Sequence, residues 1–174
     1  MTALTELLHF DRQTQALGQV SGRLGWDQET MMPSGSSAQR GEEMAALEGV
    51  LHARRSDPRV GDWLAACDGQ GFDRVTQAQL REIKTAYERA VKVPGDLAEA
   101  IASTTSMSQG KWAAARAADD FEAFVPVLQE VLALKVEEGQ ALAAGGDVYD
   151  AMLADYEPGT TASELDRMFG ALRP

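Results

Sequence analysis

Metal-assisted hydrolysis needs three protein ligands converging on one ion, usually from histidine and carboxylate, with a fourth position open to water. The chain has two histidines, His9 and His52. Neither has a second histidine four residues away, so the H-E-x-x-H pattern that sets two ligands on one helical face is absent. Glu48 and His52 stand one helical turn apart and read as a surface pair beside Arg54 and Arg55. The adjacent acids Glu42-Glu43, Asp119-Asp120 and Glu137-Glu138 would point about 100° apart on a helix, which makes them solvated faces and not acid/base pairs. Cys67 is the only cysteine and lies in the apolar run Trp63-Leu64-Ala65-Ala66, as a buried, inert thiol would. No phosphate-cradling glycine loop and no nucleophile elbow is present. The residues assign no catalytic position and no metal ligand.

The densest chemistry is in Trp26-Asp27-Gln28-Glu29-Thr30-Met31-Met32-Pro33, where an aromatic, carboxylates, an amide, a hydroxyl, two thioethers and a helix-stopping proline fall within eight residues. This stretch reads as a corner that turns the chain out of its first helix through Trp26 packing, hydrogen bonds from Asp27 and Thr30, and the Pro33 stop. If the Trp26 ring is buried, its loss should cost about 3 to 5 kcal/mol. Trp63 and Trp112 read as core or interhelix residues.

The elements that must position these residues are helical. Leu4, Leu7, Leu8, Leu17, Val20 and Leu24 fall mainly at three- and four-residue steps and predict a helix from about Thr2 into the low twenties. Gly18, Gly22 and Gly25 would admit a close neighbour or end it. Ser36 with Gln39 has the spacing of a capping box for a second helix, and Asp57-Pro58 reads as cap and first residue of a third. Further stripes run from Phe72 to Val91, from Asp96 to Ala118 and from Phe121 to Val136, with Pro126 marking a start or a kink in the last. Thr161 and Glu164 form a second capping box before Leu165, Met168, Phe169 and Leu172. No alternating strand pattern appears. The fold class is all-α, an array or bundle of six to eight helices, with residues 1–174 as a single helical domain.

Sixteen Lys+Arg against 27 Asp+Glu leave a net charge of −11 and a pI near 4.6, which argues against nucleic acid and anionic membrane as partners. The N-terminus lacks a signal-peptide pattern and no window approaches the ~18 apolar residues of a membrane span, so a cytoplasmic location is expected.

Laid out in order, the chain resembles the N-terminal portion of the carboxypeptidase Taq family of metallocarboxypeptidases. The matching pieces are Trp26 through Pro33 followed by Gly35 and Arg40; Arg81-Glu82-Ile83-Lys84 with Tyr87, Ala90 and Pro94; Trp112 through Arg116 with Asp120-Phe121, Phe124, Pro126 and Leu128; and Tyr149 through Leu153 with Tyr156-Glu157-Pro158-Gly159. The resemblance implies a helical, zincin-like enzyme, usually a homodimer, that removes C-terminal residues from peptide substrates. Zinc or cobalt would be held by H-E-x-x-H and a downstream glutamate, none of which this chain contains. It also implies that the N-terminal region covers one side of a substrate groove, with Trp26, Asp27, Gln28, Thr30, Met32, Pro33, Tyr156 and Glu157 as motif or groove-wall residues. The expectation is therefore an N-terminal helical lobe of a metal-dependent carboxypeptidase, inactive alone and lacking the zinc-binding region. The alternative is a stand-alone helical interaction module without catalysis. A reading frame that continues past codon 174 into H-E-x-x-H would separate the two. In either case, exposed apolar surface is expected from Phe121 onward and from Leu165 to Leu172.

Overall fold

The computed structural model describes residues 2–173 and consists of eight α-helices, with no strand among the described residues. They are α1 (Ala3–Thr30), α2 (Ser37–Arg55), α3 (Pro58–Cys67), α4 (Arg74–Ala90), α5 (Gly95–Ala118), α6 (Phe121–Ala143), α7 (Val148–Leu153) and α8 (Ala162–Leu172). A 3-10 turn at Ser34–Ser36 precedes α2.

Local capping chemistry fixes most of the starts. The side chains of Thr2, Asp57, Asp73, Asp120 and Asp147 each accept a backbone N–H in the first turn of the helix that follows, satisfying donors with no intrahelical partner. Pro58 occupies the first turn of α3, and Thr161 with Glu164 closes a reciprocal capping box on α8, both as the sequence predicts. The box expected at Ser36 does not form. Ser36 sits at φ −93°, ψ 5°, the tail of the 3-10 turn and not the extended geometry a cap needs, and the Gln39 amide donates to Glu43 Oε1 at 3.2 Å instead. Pro126 lies in the second turn of α6, so the helix begins five residues before it.

The largest departure from the sequence reading is the length of α1, which runs unbroken to Thr30. A Cβ built on Gly22 or Gly25 would meet nothing within 4 Å, and one on Gly18 only the tip of Arg55 at 3.9 Å, so these glycines neither end the helix nor admit a neighbour. The cost of three helical glycines, about 1 kcal/mol each relative to alanine, is offset by tertiary bonds at the end of the helix.

The centre of the fold is the antiparallel pair α2 and α5. Ser37 lies beside Gly110, Gly41 beside Ser103 and Met107, Gly49 beside Glu99, and His52 beside Gly95, so small residues alternate across the seam. At Gly41 an added Cβ would stand 2.9 Å from Met107 Cγ and 3.3 Å from Ser103 Oγ, a close approach that only glycine permits. At Gly49 the clash would be with the carboxylate end of Glu99, an exposed side chain free to swing into solvent. Gly49→Ala is accordingly expected to stabilise the protein by about 0.5 to 1 kcal/mol, the helix-propensity gain, and a chemical denaturation midpoint checks it. A loss of stability would mean that Glu99 is held in place.

His52 is more than half of a surface pair. Its Nε2–H donates to the Val93 carbonyl at 2.7 Å, binding the end of α2 to the loop before α5. Arg54 reaches across to α1, donating to Thr14 Oγ1 at 3.0 Å and to the Phe10 carbonyl at 3.1 Å, with its guanidinium 4.0 Å above the Phe10 ring. Phe10 in turn meets Trp63 edge-to-face at 5.6 Å, fixing α3 against α1. Glu48 pairs with Arg55 at 3.0 Å, and burial pushes its carboxyl above the usual range while Arg55 and His52 oppose the shift. Cys67 is buried as expected, and burial raises its thiol.

Beyond α5, the fold continues as a layer of α6 and α7 around a cluster of Val93, Leu97 and Leu142 packed by Ile101, Leu134 and Met152. The accessible surface is 11427 Å², against about 8,300 Å² expected for a self-contained monomer of this mass. The excess of about 3,000 Å² is rich in large apolar side chains, among them Phe121, Leu132, Val136, Met168, Phe169 and Leu172, the late-helix surface that the sequence predicts.

Candidate functional site

The last two turns of α1 carry the motif residues, and the side chains divide by which way they face. Arg40, on the first turns of α2, is only 8% exposed. Its Nη2 donates to Asp27 Oδ2 at 2.5 Å, its Nε to Glu43 Oε2 at 2.9 Å, and its Nη1 to the Leu24 carbonyl. One guanidinium thus binds a backbone carbonyl and a carboxylate of α1 to the start of α2, using the planar fork that lysine lacks. The hydrogen bond to Asp27 raises the Arg40 pKa above its ordinary value; burial opposes the shift, and Glu43 adds to it.

Gln28 faces the other way, toward α5. Its Nε2 donates to the Ser106 carbonyl at 2.7 Å and its Oε1 accepts from Ser106 Oγ at 2.8 Å, a two-point contact that satisfies the buried Ser106. The end of α1 is therefore held at Asp27 by α2 and at Gln28 by α5. Thr30 Oγ1 donates back to the Trp26 carbonyl at 2.7 Å. The N–H groups of Met31 and Met32 both donate to the Asp27 carbonyl, and Pro33, extended at φ −60°, ψ 139°, turns the chain away. Asp27, Met31, Met32, Pro33, Gln39 and Arg40 line a hollow of about 190 Å³ at this corner.

Trp26 is the correction. The ring is 64% exposed, because the unbroken helix carries it to the outer face while Asp27 and Gln28 turn inward. It does not pack the corner, which Arg40 and Gln28 hold. The Trp26→Ala change is now expected to move the melting temperature by less than about 2 °C, as for a surface substitution on a helix. A larger drop in a thermal melt would restore a packing role. Trp112, read from sequence as core or interhelix, lies between α5 and α6 beside Phe124 and is half exposed.

Tyr156 and Glu157 lie in the turn after α7, their backbone N–H groups both donating to the Leu153 carbonyl. Their side chains point outward, Tyr156 being 82% exposed. The turn is fastened by its neighbour Asp155, which accepts from Arg89 Nη2 at 2.7 Å, while Arg89 also meets Glu138 of α6 at 3.2 Å and Lys135 meets Glu138 at 2.7 Å. The Trp26–Pro33 group is thus attached to α2 and α5, and the Tyr156–Glu157 group to α4 and α6. The anchors Ser106 and Arg89 escape sequence reasoning, since they bond to residues 78 and 66 positions away. Arg40 carries a signal, a lone cation among the acids at the start of α2.

Among the described residues no three histidine, cysteine or carboxylate side chains converge where they could hold a metal. His9 contacts Gln13 at 3.2 Å and His52 is bonded to Val93, on separate helices. The described residues do not fit a catalytic metal.

The geometry defines an all-helical array with a braced corner, and comparison with known proteins gives its family. Residues 6–174 match the model of the carboxypeptidase Taq (M32) metallopeptidases, and the chain belongs to that family, corresponding to its N-terminal portion. It is 38% identical to thermostable carboxypeptidase 1 of Thermus thermophilus in an alignment covering 98% of this chain and 36% of that protein. The structure of Trypanosoma cruzi metallocarboxypeptidase 1 superposes with a TM-score of 0.76 at 30% identity, covering 98% of this chain and 35% of that one. The solved structure of BsuCP shares the fold with a TM-score of 0.91 at 21% identity, over 99% of this chain and 35% of its own. The chain spans about a third of the length of the relatives it matches. No helix among the described residues is long and apolar enough to cross a membrane.

Proposed function

We propose that this chain is the N-terminal helical lobe of a metal-dependent carboxypeptidase that removes C-terminal residues from peptides, forming one wall of the substrate groove. The observation that carries the reading is the family match over nearly the whole chain, which spans about a third of the length of its relatives. Trp26, Thr30, Met32 and Pro33 at one corner, and Tyr156 and Glu157 at the other turn, are the residues we assign to the groove wall. Their exposure supports contact with a peptide, Met32 being half-buried and the others exposed. Asp27 and Gln28 hold the first group in place. Zinc or cobalt, and the general base, belong to the part of the family fold outside residues 1–174. We place the assembly in the cytoplasm as a homodimer, in keeping with its acidic, single-cysteine composition and its apolar surface.

The isolated 174-residue protein, purified and supplied with zinc or cobalt, is expected to release no C-terminal amino acid from peptides and to hold no stoichiometric metal by elemental analysis. Metal-dependent release that copurifies with the chain would overturn the reading.

A further inference from the structure

Arg54 is a partly buried cation with no anion beside it. Its guanidinium donates to Thr14 Oγ1 at 3.0 Å, to the Phe10 carbonyl at 3.1 Å and to Gln13 Oε1 at 3.3 Å, three neutral acceptors on α1. The acids nearest in sequence are taken, Glu48 by Arg55 at 3.0 Å and Asp57 by Arg59 at 2.7 Å. Among the described residues no carboxylate stands at ion-pair distance from Arg54, and its Nη1 has no acceptor. In a chain of net charge −11, a guanidinium drawn partly out of water without a carboxylate is an exception.

The same side chain lines a cavity of about 380 Å³ between α1 and α4, whose wall is completed by the end of α2 and by Val60 of α3. Every lining residue falls within positions 7–87, so this chain's own helices form the cavity. Most of the wall is apolar: Leu7 and Val60 are buried, and Leu8, Ile83 and Tyr87 are partly so. Glu82, Ile83 and Tyr87 belong to the motif group on α4 that the groove wall does not use. Thr14 lies about 18 Å along α1 from Trp26, which separates this cavity from the corner. The volume is that of a small-molecule site and holds roughly a dozen non-hydrogen atoms at about 30 Å³ each.

We infer that the cavity binds a small apolar carboxylate, with the acid group on Arg54 and the hydrocarbon part against Leu7, Val60 and Ile83. The unpaired guanidinium supplies the charge that a carboxylate complements, and the apolar wall selects its body. Arg55 adds a second cation at the rim, already shared with Glu48. Asp11 and Glu82 border the cavity from α1 and α4, which disfavours a dianion and favours a ligand that also carries an ammonium group. A free apolar amino acid meets both signs of charge; a plain aliphatic acid meets one. The inference does not rest on the lobe reading.

Isothermal titration calorimetry of the 174-residue protein with leucine, 4-methylpentanoate and the uncharged 4-methylpentanamide is the test. Both carboxylates are expected to bind, and the amide about tenfold more weakly or less, because only a carboxylate gains a charge-assisted bond to Arg54. Arg54→Met should weaken carboxylate binding by about tenfold or more. Because Arg54 also fastens α2 to α1, a second variant leaves it in place: Ala78→Leu with Ala86→Leu fills the cavity from α4 and should abolish binding. Circular dichroism confirms that each variant keeps its helix content, and if Arg54→Met does not, the filled variant decides. Leucine binding more tightly than 4-methylpentanoate supports the site and assigns the amine to Asp11 and Glu82; the reverse order supports it as a site for plain acids. Absence of binding by both acids at about 10 mM would overturn the inference. So would equal affinity for the amide and the acids, or affinity that survives in the filled variant.

Discussion

Replacing Arg40 with methionine is expected to lower the stability of the protein by about 2 to 3 kcal/mol, or the melting temperature by about 5 to 10 °C. The side chain is 9% exposed and serves three acceptors at once, so methionine fills most of the volume and leaves the Leu24 carbonyl without its donor. Asp27 and Glu43 are about two-fifths exposed, and water resolvates them, which keeps the loss below that of a fully buried pair. Thermal unfolding followed by circular dichroism measures the loss. A cycle with Asp27→Asn should recover part of it, because the two changes remove the same contact. A change below about 1 kcal/mol would reduce the brace to an ordinary surface ion pair. A lysine at position 40 should rescue poorly, as one ammonium cannot reproduce the fork.

The second large effect is expected at the α2–α5 seam. Gly41→Leu should destabilise by about 3 kcal/mol, the upper end of overpacking, and lower the melting temperature by about 6 to 12 °C. The first atom of the new side chain already falls 2.9 Å from Met107 Cγ, and three more carbons follow with the adjacent Ser103 Oγ in the way. The helices must separate, and the shift carries to the Gln28–Ser106 contact because Ser106 lies on the same helix. Hydrogen exchange should therefore quicken at the end of α1 as well as at the seam. A stability gain, as expected for Gly49→Ala, would mean that Met107 gives way without moving α5.

If the groove-wall proposal holds, these two substitutions act on function indirectly, by loosening the corner that carries Trp26 and Met32. Trp26→Ala offers the complementary case, a change in the wall with little change in stability. Comparing peptide affinity across the three substitutions in a full-length enzyme of the family carrying this lobe would separate contact from positioning.

Sequence alone determined the features whose cause is local. Apolar spacing places the helices, and Asp57-Pro58 and the Thr161–Glu164 box set two starts because a cap is satisfied within three residues of itself. The ordered set of motifs is enough to name the family, and the lack of a histidine pair four residues apart leaves no H-E-x-x-H in the chain. Only tertiary structure decided how far α1 runs and which way its motif faces. Its glycines argue locally for an early stop, and the bonds that outweigh them come from Arg40 on α2 and Ser106 on α5. Trp26 reads as a packing residue by its type, yet a helix that continues past it puts adjacent residues about 100° apart, so Asp27 and Gln28 turning inward leave the indole outside. The Arg89 clasp on the Tyr156–Glu157 turn was equally hidden, since nothing within either segment encodes a partner 66 residues away.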